Sequence, residues 1–510
     1  MDAKFVDAAR QAFAGDDVAL TLGAPLHEGA CHPEPLVRAP LALMNRHGLI
    51  AGATGTGKTK TLQLMAEQLS TAGVSVLLAD VKGDVSGVAI AGESSERVQT
   101  RARETGYAWH PAGFPVEFLS LTGTRGAQLR ASVSSFGPLL LSKVLGLNPT
   151  QTSVLALVFK YCDDHDLELY DFGDLRAVLQ HLTGDGAADL KDYGGMSKQT
   201  VGVLLREMIE LEGQGADVFF GEPEFDLEDL VQTERDGRGL VSLLELADVQ
   251  DKPALWSTFI MWMLARLYNT QPEVGDAAKP KLVVFFDEAH LLFDGASKEF
   301  LAQVEQIVRL IRSKGIGIVF VTQSPKDVPP DILGQLSLRV QHALRAFTAD
   351  DDKALNAAAR TFPKTSFYDI EETLTTLGIG EALVTVLGPS GVPTPPFATR
   401  LVPPSSRMGP LTDAELSQRV KSSAQVRKYA QAIDRESAEE KLAAAARPQA
   451  PVADAGRSRP PVAEEPGTLE KVLTSSVARS VVRTVAVAVA GSLARGVMGS
   501  LLGSPRRRRR

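Results

Sequence analysis

Residues 52–59 read Gly-Ala-Thr-Gly-Thr-Gly-Lys-Thr, which matches the pattern GxxxxGK[ST] at every fixed position. Glycines in this pattern let the backbone curl until successive N–H groups point at phosphate oxygens, and the positive end of the following helix adds to the attraction. The stretch lies between an apolar run, 47–51, and an amphipathic segment, 58–72. It therefore predicts a strand, a phosphate-binding loop and a helix, whereas the alternative is a glycine-rich turn without a ligand.

Each residue of this loop is a candidate for contact with a bound triphosphate. The predicted binding residues are Gly52, Ala53, Thr54, Gly55, Thr56, Gly57, Lys58, Thr59 and Lys60. Lys58 is expected to reach the β and γ phosphates, and the Thr59 hydroxyl is expected to ligate Mg²⁺.

A second motif, residues 281–290, is an apolar run that ends in two acids and reads Lys-Leu-Val-Val-Phe-Phe-Asp-Glu-Ala-His. Asp287 is predicted to lie near the Mg²⁺ shell, and Glu288 is predicted to polarise the attacking water. Two acids at the end of a buried strand are costly unless a cation or a donor satisfies them. The alternative is an acid pair that caps the next helix. We interpret His290 as a local hydrogen-bonding residue, because no His or Cys stands at metal-ligand spacing from it.

A third apolar run, 315–322, is followed by Gln323. Because parallel strands present their carboxyl ends to the ligand crevice, Gln323 is predicted to sense the γ-phosphate or to position water. The alternative is that Gln323 only forms the turn that ends the strand. The segment 338–345 then supplies Arg339 and Arg345. Either is a candidate arginine finger, a cation inserted beside a neighbouring subunit's γ-phosphate, and either is equally compatible with a surface salt bridge.

Apolar runs alternate with helical patterns up to about residue 402, which predicts an α/β fold with a mainly parallel sheet. The further predicted strands are 74–79, 239–246, 281–286, 317–322, 339–345 and 381–387. The predicted domains are a body over 1–405 with a helical insert at about 130–235, a charged helical segment over 406–446, a disordered Pro-rich linker over 447–467, and a flexible tail over 468–510 that carries an amphipathic helix and a basic end.

The composition excludes several classes of protein. Of the 510 residues, 44% are hydrophobic and 23% are charged, which argues against collagen-like, wholly disordered and integral-membrane chains. The two cysteines, Cys31 and Cys162, form no CxxC pair. Their scarcity argues against a disulfide scaffold or a zinc site and indicates a reducing, cytoplasmic location.

Charge is distributed unevenly along the chain. The net charge of the whole chain is −8. Residues 403–510 hold 19 Lys or Arg and 10 Asp or Glu, so their net charge is +9, and the net charge of residues 1–402 is −17. The uncharged stretch at 484–494 is too short to span a bilayer. For the segment 468–510 three interpretations stay open: a helix on an anionic membrane surface such as the inner membrane face, a DNA-tethering tail, or a helix that packs on a partner protein or on its own assembly.

The loop GATGTGKT, the strand ends FFDEAH and FVTQSP, and the stretch LRVQHALRAFTADD follow one another in an order that resembles the HerA/FtsK group of P-loop motors, and bacterial HerA-like ATPases in particular. The resemblance covers roughly residues 20–405. It implies a RecA-like core, a homo-hexameric ring, ATP with Mg²⁺ as cofactors, hydrolysis at subunit interfaces and translocation along duplex DNA, or its unwinding. By position, the nucleotide roles of the group fall on Lys58, Thr59, Asp287, Glu288 and Gln323, and the finger on Arg345 or Arg339.

One feature departs from that resemblance. Archaeal HerA has a sizeable β-barrel before its P-loop, whereas only about 50 residues precede the loop here. The partner docking that this barrel provides is therefore not implied for this chain. Independently of this, the alternative function is a nucleotide-controlled assembly or scaffold ATPase, which the C-terminal helix could attach to a membrane.

Overall fold

The computed structural model describes residues 2–13, 15, 18–275, 277–294, 296–345, 348–388 and 391–446. These residues belong to one compact unit, Met1–Arg447. The predicted linker at 447–467 and the predicted tail helix and basic end at 468–510 lie outside the described residues. The predicted division of the body at residue 405 stays a prediction.

The described strands form one large sheet. They are β1 (Ala19–His27), β2 (Ala30–Cys31), β3 (Val37–Pro40), β4 (Gly48–Ala51), β5 (Ser75–Asp80), β6 (Val116–Ser120), β7 (Ala127–Gln128), β8 (Val241–Glu245), β9 (Leu282–Phe286), β10 (Ile316–Thr322), β11 (Leu338–His342), β12 (Glu381–Thr385) and β13 (Phe397–Leu401). The strands in the order β11-β4-β10-β9-β5-β8-β6-β7 are parallel to their neighbours. The predicted α/β fold with a mainly parallel sheet is therefore confirmed.

The sheet continues beyond β11 through antiparallel strands. β12 pairs with β11, β13 with β12, and β1 with β13, while β2 and β3 both pair with β1. β1 precedes the phosphate-binding loop in the chain and β13 follows it by several hundred residues, so the two ends of the body meet in this part of the sheet. The sequence patterns did not predict β1 or β13, because β1 contains Gly23 and Pro25, residue types that disfavour strands.

The described α-helices are α1 (Asp2–Phe13), α2 (Lys58–Thr71), α3 (Glu96–Thr105), α4 (Val133–Val144), α5 (Pro149–Asp164), α6 (Phe172–Thr183), α7 (Lys198–Gly213), α8 (Ala216–Phe219), α9 (Pro253–Thr270), α10 (His290–Phe293), α11 (Lys298–Ile311), α12 (Pro330–Leu333), α13 (Ala349–Ala359), α14 (Ile370–Thr376), α15 (Asp413–Ser422), α16 (Ala424–Tyr429) and α17 (Ala438–Ala445). Helices α4 to α8 occupy the stretch predicted to be a helical insert. None of the helices in the described ranges combines the length and the apolarity that a bilayer crossing requires.

Both faces of the parallel sheet are buried, and this explains why its strands are continuous apolar runs. In β5, Leu77 and Ala79 belong to the hydrophobic core that contains the insert helices, α9 and α11. The alternate residues Val76 and Leu78 belong to a second core that contains α1 and α2. A strand with period-two side chains thus contributes to both cores.

The segment after β13 packs along the body. The backbone N–H groups of Ser405 and Ser406 donate to the buried Glu67 carboxylate on α2 at 2.7 and 3.0 Å. Further along, the Tyr429 hydroxyl donates to Asp229 at 2.6 Å. These buried contacts tie the helices of the predicted 406–446 segment to the same unit that carries α2.

Candidate nucleotide-binding site

The loop between β4 and α2 has the conformation that its glycines predict. Gly52 has a φ of +153°, and a Cβ atom at this position would lie 2.5 Å from the Cβ of His342. Gly57 caps α2 with a φ of +116°. Positive φ is costly for other residues, so both positions need glycine. The loop is anchored from outside as well: Ala53 N donates to Ala343 O at 2.9 Å, and Gly380 N donates to Thr56 O at 3.0 Å.

Lys58 folds back over the loop that it follows. Its Nζ donates to the carbonyl oxygens of Gly52 at 2.7 Å and Ala53 at 3.3 Å, and the residue is 8% exposed. Burial lowers the pKa of Lys58, and the nearby Glu288 carboxylate opposes this shift. An ammonium placed at the rim of a ring of backbone amides is suited to binding the terminal phosphates.

The remaining loop residues surround this lysine. Thr54 and Gly55 are exposed at the tip, and Thr59 is half-buried in the first turn of α2. The Nζ of Lys60 lies 3.4 Å from Gln63 Oε1, so this lysine is turned along the helix. The Thr56 hydroxyl donates to Ala53 O at 2.7 Å and closes the loop on itself.

Three carboxylates converge beside the loop, at the carboxyl ends of β5 and β9. Asp80, Asp84 and Asp287 each offer an oxygen within 4.8 Å of the others. Asp80 also holds its own loop in place, since its Oδ1 accepts from Gly83 N at 2.7 Å and its Oδ2 accepts from Val85 N at 2.9 Å. Hard oxygen ligands of this kind are the ones that Mg²⁺ prefers.

Asp287 is the member of this cluster that fits a cation best. It is 4% exposed, and its Oδ2 has no hydrogen-bond partner among the described residues. Burial, together with the carboxylates of Glu288 and Asp80, raises the pKa of Asp287 to about 7. A buried carboxylate with an unsatisfied oxygen is costly, so a divalent cation here relieves both the missing contact and the repulsion between acids. The site thus accommodates ATP with Mg²⁺.

Glu288 follows Asp287 in a strained conformation, with a φ of +47°. Its Oε1 accepts from the Nζ of Lys82. The Nδ1 of His290 lies 3.2 Å from the other oxygen, Oε2, without the alignment of a hydrogen bond. Burial lowers the pKa of Lys82, but the hydrogen bond and the charge of Glu288 outweigh that effect and raise it.

A cavity of about 360 Å³ opens beside the loop. Ala53, Gln323, Asp327 and Arg345 line it. Both Gln323 and Arg345 are exposed, and Asp327 is fixed by the Thr322 hydroxyl at 2.7 Å. The structure therefore brings Gln323 and Arg345 together beside the loop.

Arg339 lies apart from this group. In the register of the sheet it is opposite Leu49, two residues before the end of β4. Its guanidinium donates to the carbonyl oxygens of Leu333, Leu336 and Thr361 at 3.3, 3.5 and 3.1 Å. These bonds connect Arg339 to the end of α12 and to the segment just after α13 in the same chain.

A second cavity, of about 390 Å³, borders Gly57 and Lys60. Large apolar side chains stand exposed on its lining, namely Ile379 at 58% and Met408 at 44%. Arg101 donates to the carbonyl oxygens of Ile379 at 3.0 Å and Gly380 at 3.2 Å. A mainly apolar pocket with a few polar groups is typical of a small-molecule site.

The sequence patterns did not mark Asp80, Lys82, Asp84 or His342 as site residues. One signal was present for Asp80, because the apolar run 74–79 ends in an acid just as 281–286 does. His342 Nε2 lies 2.8 Å from Thr61 Oγ1 beneath the loop, and burial followed by the charge of Lys58 lowers the pKa of His342 to about 4. No local pattern marks such a contact, since 281 residues separate its partners.

The parallel sheet, the loop at the end of β4 and the acids at the end of β9, the next strand but one in the sheet, define a P-loop ATPase with a RecA-like core. The chain belongs to the family described as "Helicase HerA-like C-terminal", which it matches over residues 28–509. The predicted resemblance to the HerA/FtsK group is thereby confirmed.

A curated relative is the DNA double-strand break repair helicase HerA of Saccharolobus solfataricus, 21% identical over 342 residues. The match covers 66% of this chain and 61% of the relative. Among solved structures, VirB4 of Thermoanaerobacter pseudethanolicus is similar with a TM-score of 0.47 and 14% identity, over 76% of this chain and 97% of the other. The bacterial conjugative coupling protein TrwBdeltaN70 is similar with a TM-score of 0.49 and 13% identity. The match covers 80% of this chain and 95% of the other.

Proposed function

We propose that this protein is an ATP-hydrolysing ring motor that assembles as a homo-hexamer and translocates on, or unwinds, DNA without reading its sequence. The observation that carries the proposal is the juxtaposition of Lys58, Asp287 and Glu288 at one edge of the sheet. Membership of the HerA-like family supports a motor over other P-loop enzymes. The relative from Saccharolobus solfataricus is described as a DNA repair helicase, which favours DNA as the partner.

In this proposal the loop amides and Lys58 bind the triphosphate, and the apolar cavity beside Gly57 holds the nucleobase. Mg²⁺, held by Thr59 and Asp287 with Asp80 and Asp84 in reach, would neutralise charge on the transferred phosphoryl group. The Glu288 carboxylate accepts the proton of the attacking water.

Gln323 and Arg345 both line the 360 Å³ cavity. Gln323 orients the water, and Arg345 supplies positive charge near a γ-phosphate, which in a ring belongs to the neighbouring subunit. Because the guanidinium of Arg339 already donates to three carbonyl oxygens of its own chain, Arg345 is the better candidate for the finger.

Replacing Arg345 by alanine is expected to lower kcat for ATP by about a hundredfold or more, since arginine fingers contribute on the order of 10³ to 10⁵ in rate. Arg339→Ala should instead lower the melting temperature, because three carbonyl oxygens lose their donor. Steady-state kinetics and thermal melts measure the two effects. Mixing Lys58→Ala and Arg345→Ala proteins restores turnover only if Arg345 acts on a neighbour's nucleotide. Equal loss of kcat in both arginine variants would contradict this assignment.

The experiment that tests the function is ATP turnover with and without long duplex DNA, over a range of salt concentrations. Stimulation that falls steeply with salt is expected, because a motor that holds the phosphate backbone displaces counterions. An ATP-bound sample with DNA should also show six-fold rings in electron micrographs. Slow turnover that ignores DNA would instead favour the assembly or scaffold ATPase, and flotation with anionic vesicles of the chain lacking 468–510 would then test membrane association.

A further inference from the structure

Lys82 lies in the short loop after β5 and reaches across to Glu288, which follows β9. Its Nζ forms an ion pair with Glu288 Oε1. The Glu288 side chain is only 6% exposed, whereas that of Lys82 is 45% exposed. The carboxylate that is placed to activate water is thus held by a lysine from the neighbouring strand end.

This pairing bears directly on the chemistry of Glu288. A general base must offer a carboxylate lone pair to a water proton. The Lys82 ammonium occupies a lone pair of Oε1, so this oxygen is not available to the proton of a water molecule. His290 Nδ1 stands 3.2 Å from Oε2 and crowds the second oxygen. Glu288 therefore activates water poorly while Lys82 is paired with it.

The loop leaves the Lys82 side chain free to move while its backbone stays in place. Asp80 Oδ1 accepts from Lys82 N at 3.1 Å and from Gly83 N at 2.7 Å, so the backbone is fixed on both sides of the lysine. The side chain beyond it is a flexible four-carbon stem that is 45% exposed. Lys82 can therefore leave Glu288 by a change of rotamer, without a movement of the backbone.

We propose that Lys82 is a latch on Glu288: paired, it suppresses hydrolysis, and its departure to solvent permits turnover. Asp84 and Asp287 also act on the Lys82 ammonium, so a cation bound among these acids repels it and favours release. Lys82 is a positioning residue in this scheme, because it acts through Glu288. The inference rests on the proposed role of Glu288 in ATP hydrolysis.

The kinetic test compares DNA-free turnover of the parent protein with that of Lys82→Ala, Lys82→Arg and Lys160→Ala. Lys160 pairs with Asp164 on the exposed face of α5 and serves as the matched control. Lys82→Ala is expected to raise DNA-free kcat by about ten- to a hundredfold, the range for losing a hydrogen bond to a charged group, with KM for ATP unchanged. Lys82→Arg keeps the cation and should keep the parent rate. Adding Glu288→Gln to Lys82→Ala should abolish the gain.

A second readout does not depend on activity. Acylation of lysines by a succinimidyl ester, followed by mass spectrometry, reports how accessible each free amine is. Lys82 should react faster in Glu288→Gln than in the parent, and faster in the parent when Mg²⁺ and ADP are added, while Lys160 should not change.

The outcomes separate the latch from the proposed function. Failure of DNA to stimulate the parent contradicts the DNA motor but leaves the comparison of Lys82→Ala with the parent intact. If Lys82→Ala turns over ATP no faster than the parent, the latch is overturned. Turnover below that of the parent would indicate that Lys82 contacts phosphate instead. Acylation of Lys82 that is unaffected by Glu288→Gln overturns it as well, even if Lys82→Ala does not fold.

Discussion

Lys58→Ala is expected to reduce ATP turnover by about a thousandfold and to weaken ATP binding. The Nζ of Lys58 is the buried cation at the loop, and alanine removes both its charge and its two hydrogen bonds to the loop carbonyls. A preorganised cation at the transferred phosphoryl group contributes several kcal/mol of electrostatic stabilisation. Steady-state kinetics, together with titration of a fluorescent ATP analogue, measures both effects.

The matched control for this variant is Lys160→Ala, which removes a lysine on α5 that pairs with an exposed acid. Its turnover should equal that of the parent. Turnover of Lys58→Ala within about tenfold of the parent would contradict the assignment of Gly52–Thr59 as the triphosphate site, because a lone P-loop lysine carries far more than that in phosphoryl transfer.

Glu288→Gln is expected to separate binding from hydrolysis. The amide keeps the size of the side chain but cannot accept the proton of the attacking water, so kcat should fall by about 10² to 10⁴. ATP binding should persist, since Lys58 and the loop amides are intact. Single-turnover hydrolysis and an equilibrium binding measurement on the same sample test the two parts.

The control for Glu288→Gln is Glu305→Gln on α11, where the carboxylate forms an ion pair with Arg309 within one helix. This substitution should leave kcat unchanged. Loss of ATP binding in Glu288→Gln, with normal folding, would show that Glu288 acts in binding and would move the role of general base to another group. The trapped ATP-bound protein is also the best sample for observing the proposed ring.

The sequence predicted the central part of the fold because its evidence is local. A strand buried on both faces is a continuous apolar run, so the strands near 47–51, 281–286 and 315–322 could be read directly. The antiparallel strands β1 and β13 could not, because neither is a continuous apolar run. β1 contains Gly23 and Pro25, and β13 contains Thr399 and Arg400.

The same distinction applies to the two candidate arginines. Arg339 and Arg345 lie in one stretch of sequence and carry the same side chain, so composition could not separate them. The tertiary structure separates the two arginines. The guanidinium of Arg339 donates to carbonyl oxygens of its own chain, whereas Arg345 lines the cavity beside Ala53. Arg339 lies within β11, whereas Arg345 lies three residues beyond its end.

The amino-acid sequence by itself determined the phosphate-binding loop and the acid pair of this ATPase, because each needs particular residue types at consecutive positions. Only the tertiary structure decided which groups stand around them. Asp80 and Asp84 join Asp287, and Lys82 pairs with Glu288 across 206 residues of chain. These contacts exist because parallel strands bring their carboxyl ends to one edge of a sheet, whatever their separation in sequence.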